Sequence, residues 1–598
     1  MKSNNLVKIF LASALTVGIA IGCNDSFLTR EPQAQYSPTA LQTAKGVEGV
    51  LLGAYGMVDG AGLDGQSDWE NDIQNWVFGG LTSDDAYKGT DAGDQPEESF
   101  LEKWDFQPTN GHIRNKWRGL FKGVARSNDV INTLKNVKDI SEARRAQILA
   151  EAKFLRGLFH FEAKKMWKNI PFIDDATFNL NDLESTKVPV DANAWAKIEK
   201  DFAEAAAVLP ATQAQVGRPT KWAAKAFQAK ALMYQGFDMN TGAANAAKLT
   251  AAKAILEEIV NSGKYRLVEL YRDNHDASTR NNSESIFEVQ YASSSSSGDA
   301  ANRGVGLAHP YASPWGCCGF YQPSQNLVNA FKTGADGLPL IDTFNDSDVK
   351  NDQGLKLEDS FTPYEGTLDP RLDHTVGRRG ILFIDYKIHN VDFIRDQTYA
   401  GPYSPKKHIP SKAFTGVNGW GNLTSNNYRI MRYSMILLWL AECEVEVGSL
   451  ERARELVNMI RTRAANPAGF VQKAIQGSTR DAYTLVFDAQ GKPVPAANYL
   501  IKTYSTPWAS KDAARKAVRF ETRLEFGMEG HRFFDLARWG VSADVLNKYN
   551  EIEANKRVYK KGARFVKGKN EFFPIPQEAI DRSEKDGKAT LEQDPSYK

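Results

Sequence analysis

The chain has 598 residues, 42% hydrophobic and 25% charged, a globular composition that excludes a disordered polypeptide. Its 74 Lys plus Arg are matched by 73 Asp plus Glu, so the net charge of +1 supplies no field for drawing in nucleic acid or anionic lipid. The 12 Trp, 21 Tyr and 31 Phe exceed what a minimal core needs and leave rings available for recognition.

Lys2 and Lys8 flank and precede the apolar run Ile9 to Ile21, too short to span a bilayer but of signal-peptide length. The run closes as Ala20-Ile21-Gly22-Cys23, small or apolar residues before a Cys. That pattern fits a lipoprotein signal, cut ahead of an acylated thiol; the alternative is an ordinary secretory signal with an incidental Cys. On the first reading residues 1–22 are removed, Cys23 carries lipid, and residues 23–38 form a polar tether that makes lipid the only hold on the membrane.

Apolar positions at Leu41, Ala44, Val47, Val50, Leu51 and Tyr55 then predict a helix, followed by a Gly/Asp/Trp-rich region from Asp59 to Asn110. Ile148, Ala152, Leu155, Phe159 and Met166 form a helical stripe ended by Asn169 and Pro171, and a second amphipathic helix around Trp195, Ile198 and Phe202 ends at Pro210. One helix hairpin runs from Pro219 through Trp222, Phe227 and Ala231 and returns over Ala252, Ile255 and Ile259. Another takes Tyr433, Ile436, Leu440 and Ala441, turns at Gly448 and returns over Ala453, Val457 and Ile460. Small residues at the crossings are what tetratricopeptide-type packing requires, although the pairs do not form a clean 34-residue array. The expected fold is mainly α, with helix hairpins in residues 39–290 and 291–598 and long irregular loops between them.

The longest loops are Ala292 to Gly319, with five serines from Ser293 to Ser297, and Asp336 to Asn427. Cys443 sits in an apolar helical pattern as a small core residue, and Cys317-Cys318 either join as a vicinal disulfide or remain two thiols in a turn.

Catalytic motifs are lacking: there is no Gly-x-Ser-x-Gly, no P-loop, no Gly-x-Gly-x-x-Gly opening a helix and no His-Glu-x-x-His. Asp342 to Asp352 puts Lys350 where a calcium-loop ligand belongs and reads as a solvated acidic loop. No catalytic residue, cofactor or metal is assigned.

Recognition chemistry is better represented. Trp69, Trp76, Tyr311, Trp315, Tyr321 and Trp420 lie in Gly/Pro/Asn-rich loops, with Asn71, Asp72, Asn75 and Asn418 beside them. Sugar C–H patches pack on flat rings while amides and carboxylates bind hydroxyls, so Trp69, Asn71, Trp76, Tyr311, Trp315, Tyr321 and Trp420 are the expected ligand-binding set. The competing reading is that each ring anchors its own loop to the scaffold.

Several segments together resemble the SusD/RagB family of outer-membrane nutrient-binding lipoproteins of Bacteroidetes. They are Cys23-Asn24-Asp25-Ser26-Phe27-Leu28, Glu151 to Arg156 leading to Trp167-Lys168-Asn169-Ile170-Pro171-Phe172, Arg218 to Ala226, and Arg432 to Glu444. The most specific are Glu525 to Gly540, containing His531-Arg532-Phe533-Phe534-Asp535, and Phe573-Pro574-Ile575-Pro576-Gln577-Glu578. The first of these reads as structural, Arg532 and Asp535 being spaced to pair on one helix face. The resemblance implies a helical surface lipoprotein of the outer membrane that binds without cleaving. It would sit as a lid on a TonB-dependent, SusC-like barrel and deliver glycan oligomers, or in some relatives peptides. A surface glycoside hydrolase and a protein-binding helical scaffold are the two alternatives.

Overall fold

The computed structural model describes residues 38–60, 68–292, 301–311, 314–414 and 424–598. Cys23 with its signal peptide, the tether up to residue 37, the serine run and Trp420 lie outside the described residues; Pro38, expected to end the tether, opens the short helix Pro38–Leu41.

Side-chain caps start most of the long helices. We number these α1 (Ala44–Tyr55), α2 (Gly111–Leu134), α3 (Glu142–Met166), α4 (Ala194–Val208), α5 (Lys221–Met233), α6 (Ala246–Asn261), α7 (Tyr433–Val447), α8 (Leu450–Ala464), α9 (Lys511–Phe526), α10 (Arg532–Arg538) and α11 (Ser542–Lys556). Asn110 accepts hydrogen bonds from the N–H groups of His112 and Ile113 at the start of α2, and Ser141, Thr220, Asn245, Ser449 and Ser510 cap α3, α5, α6, α8 and α9 in the same way.

From α2 to α8 each helix packs on the next, and α9 closes the row against α7 and α8. The hairpins expected from the sequence are therefore present, and α6 meets α7 directly although residues 262–432 lie between them. Small residues set the spacing: a Cβ on Gly123 of α2 would lie 2.7 Å from the Phe159 ring of α3, and one on Gly157 would lie 3.0 Å from Phe202 of α4. Phe154 fills the junction beyond, 5.8, 5.3 and 5.0 Å from the rings of Phe202, Phe227 and Phe287. One hydrophobic core runs from Val47 to Leu591.

Short two-stranded ribbons staple the insertions to this row. Strand β1 (Ala86–Gly89) pairs antiparallel with β3 (Phe320–Pro323), and β2 (Ser285–Val289) with β4 (Tyr428–Arg432). The proline-rich C-terminal motif is a clasp. Phe573 donates its N–H to the Met166 carbonyl, Trp167 Nε1 donates to the Pro574 carbonyl at 2.9 Å, and the Phe573 ring meets Phe78 edge-on.

Two sequence expectations are corrected here. Arg532 and Asp535 do not pair with each other: Arg532 binds Asp84, and Asp535 binds Arg538 at 2.8 Å. The acidic stretch is not simply solvated, because Asp342 pairs with Lys516, Asp348 with Lys556, and Asp352 is buried beside Arg379. Cys443 is the expected core residue, its Sγ 3.5 Å from the Met233 sulfur.

A buried ionic network joins the helical row to the loops. Arg432 at the end of β4 reaches Glu525 and Glu529, Arg463 of α8 reaches Glu284 and Glu525, and Arg371 reaches Asp369, Glu521 and Glu525. Burial raises the Glu525 carboxyl, but the guanidiniums of Arg463, Arg432 and Arg371 outweigh it and hold the group far below the usual carboxylate range. Glu529 is likewise raised by burial and lowered further by Arg432 and Lys407.

Candidate functional site

Loops far apart in sequence converge over one buried polar floor. Gln74 Nε2 donates to Asn302 Oδ1 at 2.7 Å, Asn302 Nδ2 donates to the Asn426 carbonyl at 3.0 Å, and Asn302 pairs with Thr424 through its backbone. Tyr291 donates its hydroxyl to Asp72 at 3.1 Å and its N–H to Asn427 Oδ1 at 2.9 Å. Gly304 must lack a side chain, because a Cβ there would fall 2.2 Å from the Asp72 carboxylate. Burial raises the Asp72 carboxyl, with hydrogen bonds from Gln74 and the charge of Lys116 acting against it. Lys116 itself, lowered by burial, donates to the carbonyls of Asn71 and Asp72 at 2.9 and 2.6 Å.

Two of the rings expected to grip ligand, Trp76 and Tyr321, are buried beside this floor instead. Trp76 is 1% exposed, donates its indole N–H to the Gly304 carbonyl at 2.8 Å, and lies 5.5 Å from the ring of Tyr321, itself 0% exposed. Trp315 is 4% exposed and centres a second small core with Phe383, Tyr386 and Phe393. Asn71 is buried, and Trp69 is half-buried against the main core with its indole N–H enclosed. These positions correct the reading of Trp76, Trp315 and Tyr321 as open platforms. A long insertion distant from the main core needs its own apolar anchors, and its largest rings supply them.

Tyr311 is different. It is 39% exposed, its N–H is donated to the Phe393 carbonyl at 2.9 Å, and the Arg395 guanidinium lies over its ring, 5.7 Å from the centroid. Arg395 is fixed by Asp91 at 2.7 Å, Asp94 at 2.8 Å and the Thr90 hydroxyl at 2.9 Å. Thr90 in turn donates its N–H to the Gly319 carbonyl at 2.6 Å, tying the end of β1 to the loop that bears Tyr311. Cys317 and Cys318 are joined as a disulfide in that loop, Cys318 buried and Cys317 half-buried. The result is a rigidly seated phenol ring with a cation behind it, beside exposed Pro314 and Gly316.

Arg395, Asp91, Asp94 and Thr90 were not picked out from the sequence. Arg395 and Asp94 are 301 residues apart, so no local spacing announces them; the Thr90-Asp91-Ala92-Gly93-Asp94 turn is the only local hint. Acid–base chemistry finds little support in the imidazoles. Each of the 8 histidines is held below its ordinary range, burial being the largest cause, so each stays neutral at pH 7. Among the described residues no group of three His, Cys, Asp or Glu side chains is placed to hold a metal ion.

The family model described as SusD family matches residues 283–597, just over half of the chain and all of the segment bearing Tyr311 and Arg395. The chain belongs to the SusD family. A second family model, described as starch-binding associating with outer membrane, matches residues 82–233. SusD-like protein P25 of Formosa agariphila is 22% identical over 541 residues, 87% of this chain and 88% of that protein. Among solved structures, a laminarin-binding SusD-like protein superposes with a TM-score of 0.62 at 21% identity, over 93% of this chain and 100% of that one. Surface glycan-binding protein A of Bacteroides thetaiotaomicron, in complex with laminarihexaose, gives 0.61 at 21% identity, over 92% and 99%. These likenesses establish the SusD fold. Among the described residues no helix is long and apolar enough to cross a membrane.

Proposed function

We propose that this SusD-family protein captures glycan oligosaccharides at the outer surface of the outer membrane and passes them to a TonB-dependent, SusC-like barrel. The match of residues 82–233 to a family model described as starch-binding associating with outer membrane supports the ligand class and the location. Relatives named for binding laminarin, or solved with laminarihexaose, support an oligosaccharide in particular. The observation that carries the site is the exposed Tyr311 ring, seated on Arg395 inside the segment matched by the SusD family model. A sugar face can stack on the ring while the Asp91, Asp94 and Thr90 cluster offers hydroxyl partners at its edge. The Ala20-Ile21-Gly22-Cys23 sequence supports lipid on Cys23 as the anchor.

The test is incubation of purified protein with a panel of neutral and charged glycans. Retention with no new reducing ends supports a binder. New reducing ends would make it a hydrolase, and no retention of any glycan would leave the scaffold reading.

A further inference from the structure

Helix α2 carries a stripe that faces a groove as well as the core. Arg114, Trp117, Arg118, Phe121 and Lys122 follow the i, i+3, i+4, i+7, i+8 pattern that normally buries an apolar face. Three of the five are cations, and the stripe lines a groove of about 390 Å³. The opposite walls come from residues 171–188 and from the C-terminal segment 576–591, which add Lys187 and Arg582. Five cationic side chains thus line the groove against a single carboxylate, Glu578. Glu578 is shared between Arg582 at 2.8 Å and Arg114 at 3.7 Å, and Lys187 is held by Glu184 from outside. Arg118 is exposed and has no carboxylate partner among the described residues.

The floor is aromatic. The Trp117 and Phe121 rings lie 4.5 Å apart, tilted by 34°, and Trp167 closes on Trp117 edge-on at 4.8 Å. Trp117 is only 7% exposed, so its ring belongs to the core beneath the groove, while Phe121 is half-buried above it. An exposed guanidinium with no carboxylate partner among the described residues, Arg118, beside the half-buried Phe121 ring suits a ligand that is ring-shaped and negatively charged. The volume lies at the small end of ordinary ligand pockets.

We infer that this α2 groove is a second binding site, separate from the Tyr311 platform, for the charged unit of an anionic oligosaccharide, with Arg118 and Arg582 meeting its carboxylate or sulfate. The ligand class rests on the glycan-binding reading; the location does not, because the groove shares no lining residue with the platform.

The experiment titrates the full-length protein with tetragalacturonate, with a sulfated galactan tetrasaccharide and with neutral laminarihexaose, in low and raised salt. The probes are repeated on R118A/R582A, whose exposed side chains leave folding intact, and on Y311A. The double variant should bind one or both acidic probes at least tenfold more weakly and lose most of the salt dependence, while its affinity for laminarihexaose is unchanged. Which acidic probe responds identifies carboxylate or sulfate as the charge. Unchanged acidic-probe affinity in R118A/R582A, equal loss in Y311A, or equally tight binding of poly-glutamate overturns the second site. If no probe binds the native protein, the glycan-binding reading falls with it; if only laminarihexaose binds, through Tyr311, this inference alone falls.

Discussion

Arg532 of α10 and Asp84 meet across 448 residues of sequence, Nε lying 2.8 Å from one carboxylate oxygen and Nη2 3.1 Å from the other. Arg523 of α9 shares the same carboxylate at 3.1 Å, so Asp84 is clasped between two C-terminal guanidiniums. The turn following Trp76 is thereby bolted to the C-terminal motif.

Removing one arm of the clasp should be costly but not fatal. Arg532→Ala is expected to lower unfolding stability by roughly 2 kcal/mol, since Arg523 still neutralises Asp84. Arg532→Lys should recover only part, lacking the two-pronged geometry. Urea midpoints at constant m-value measure both; an Arg532→Ala midpoint equal to the native one would remove the clasp from the account.

The network around Arg432 predicts a steep acid limb. Glu525 and Glu529 are held below their ordinary value when folded, so the unfolded chain protonates first as pH falls. Their stabilisation is complete above about pH 4.3, the unfolded value, and is lost progressively below it as the pH falls toward the folded values. Arg432→Met leaves Glu525 to Arg463 and Arg371 and Glu529 to Lys407, and should cost about 3 kcal/mol at pH 7, with a shallower decline below pH 4. Denaturation across pH 3 to 7 checks this, and parallel acid limbs in the two proteins would contradict it.

Tyr311 and Trp76 should separate binding from folding. Tyr311→Ala, at an exposed site, should weaken the best glycan ligand by about 1 kcal/mol, roughly fivefold, with stability unchanged. Trp76→Ala opens a cavity in the core and removes the hydrogen bond to Gly304, so it should cost about 3–5 kcal/mol of stability. Calorimetric binding paired with thermal melts reads both; tight binding retained in Tyr311→Ala would move the site elsewhere.

The paired sulfurs of Cys317 and Cys318 can be counted. Intact-mass measurement after alkylation should show one modified thiol in the described residues before reduction, Cys443 on unfolding, and three afterwards. Three alkylated thiols without reductant would show the loop thiols to be free.

Local pattern carried the helical half of this protein. Caps such as Asn110 and Ser141, the stripe from Ile148 to Met166, and Gly448 between α7 and α8 are read from a few neighbouring residues, and the family motifs lie largely on these helices. Periodicity reports which face of an element is apolar, and for a helix that is nearly the whole answer. It is silent on which loop ring will find a neighbour. Trp76, Trp315 and Tyr321 stand in the same Gly-rich company as Tyr311, yet three are sealed and one is open. Whether a ring is a wall or a platform depends on partners such as Gly304, Phe383 and Arg395, which reach it from distant parts of the sequence. Only the folded chain brings those groups together, and so only tertiary structure decided which of these rings stands open.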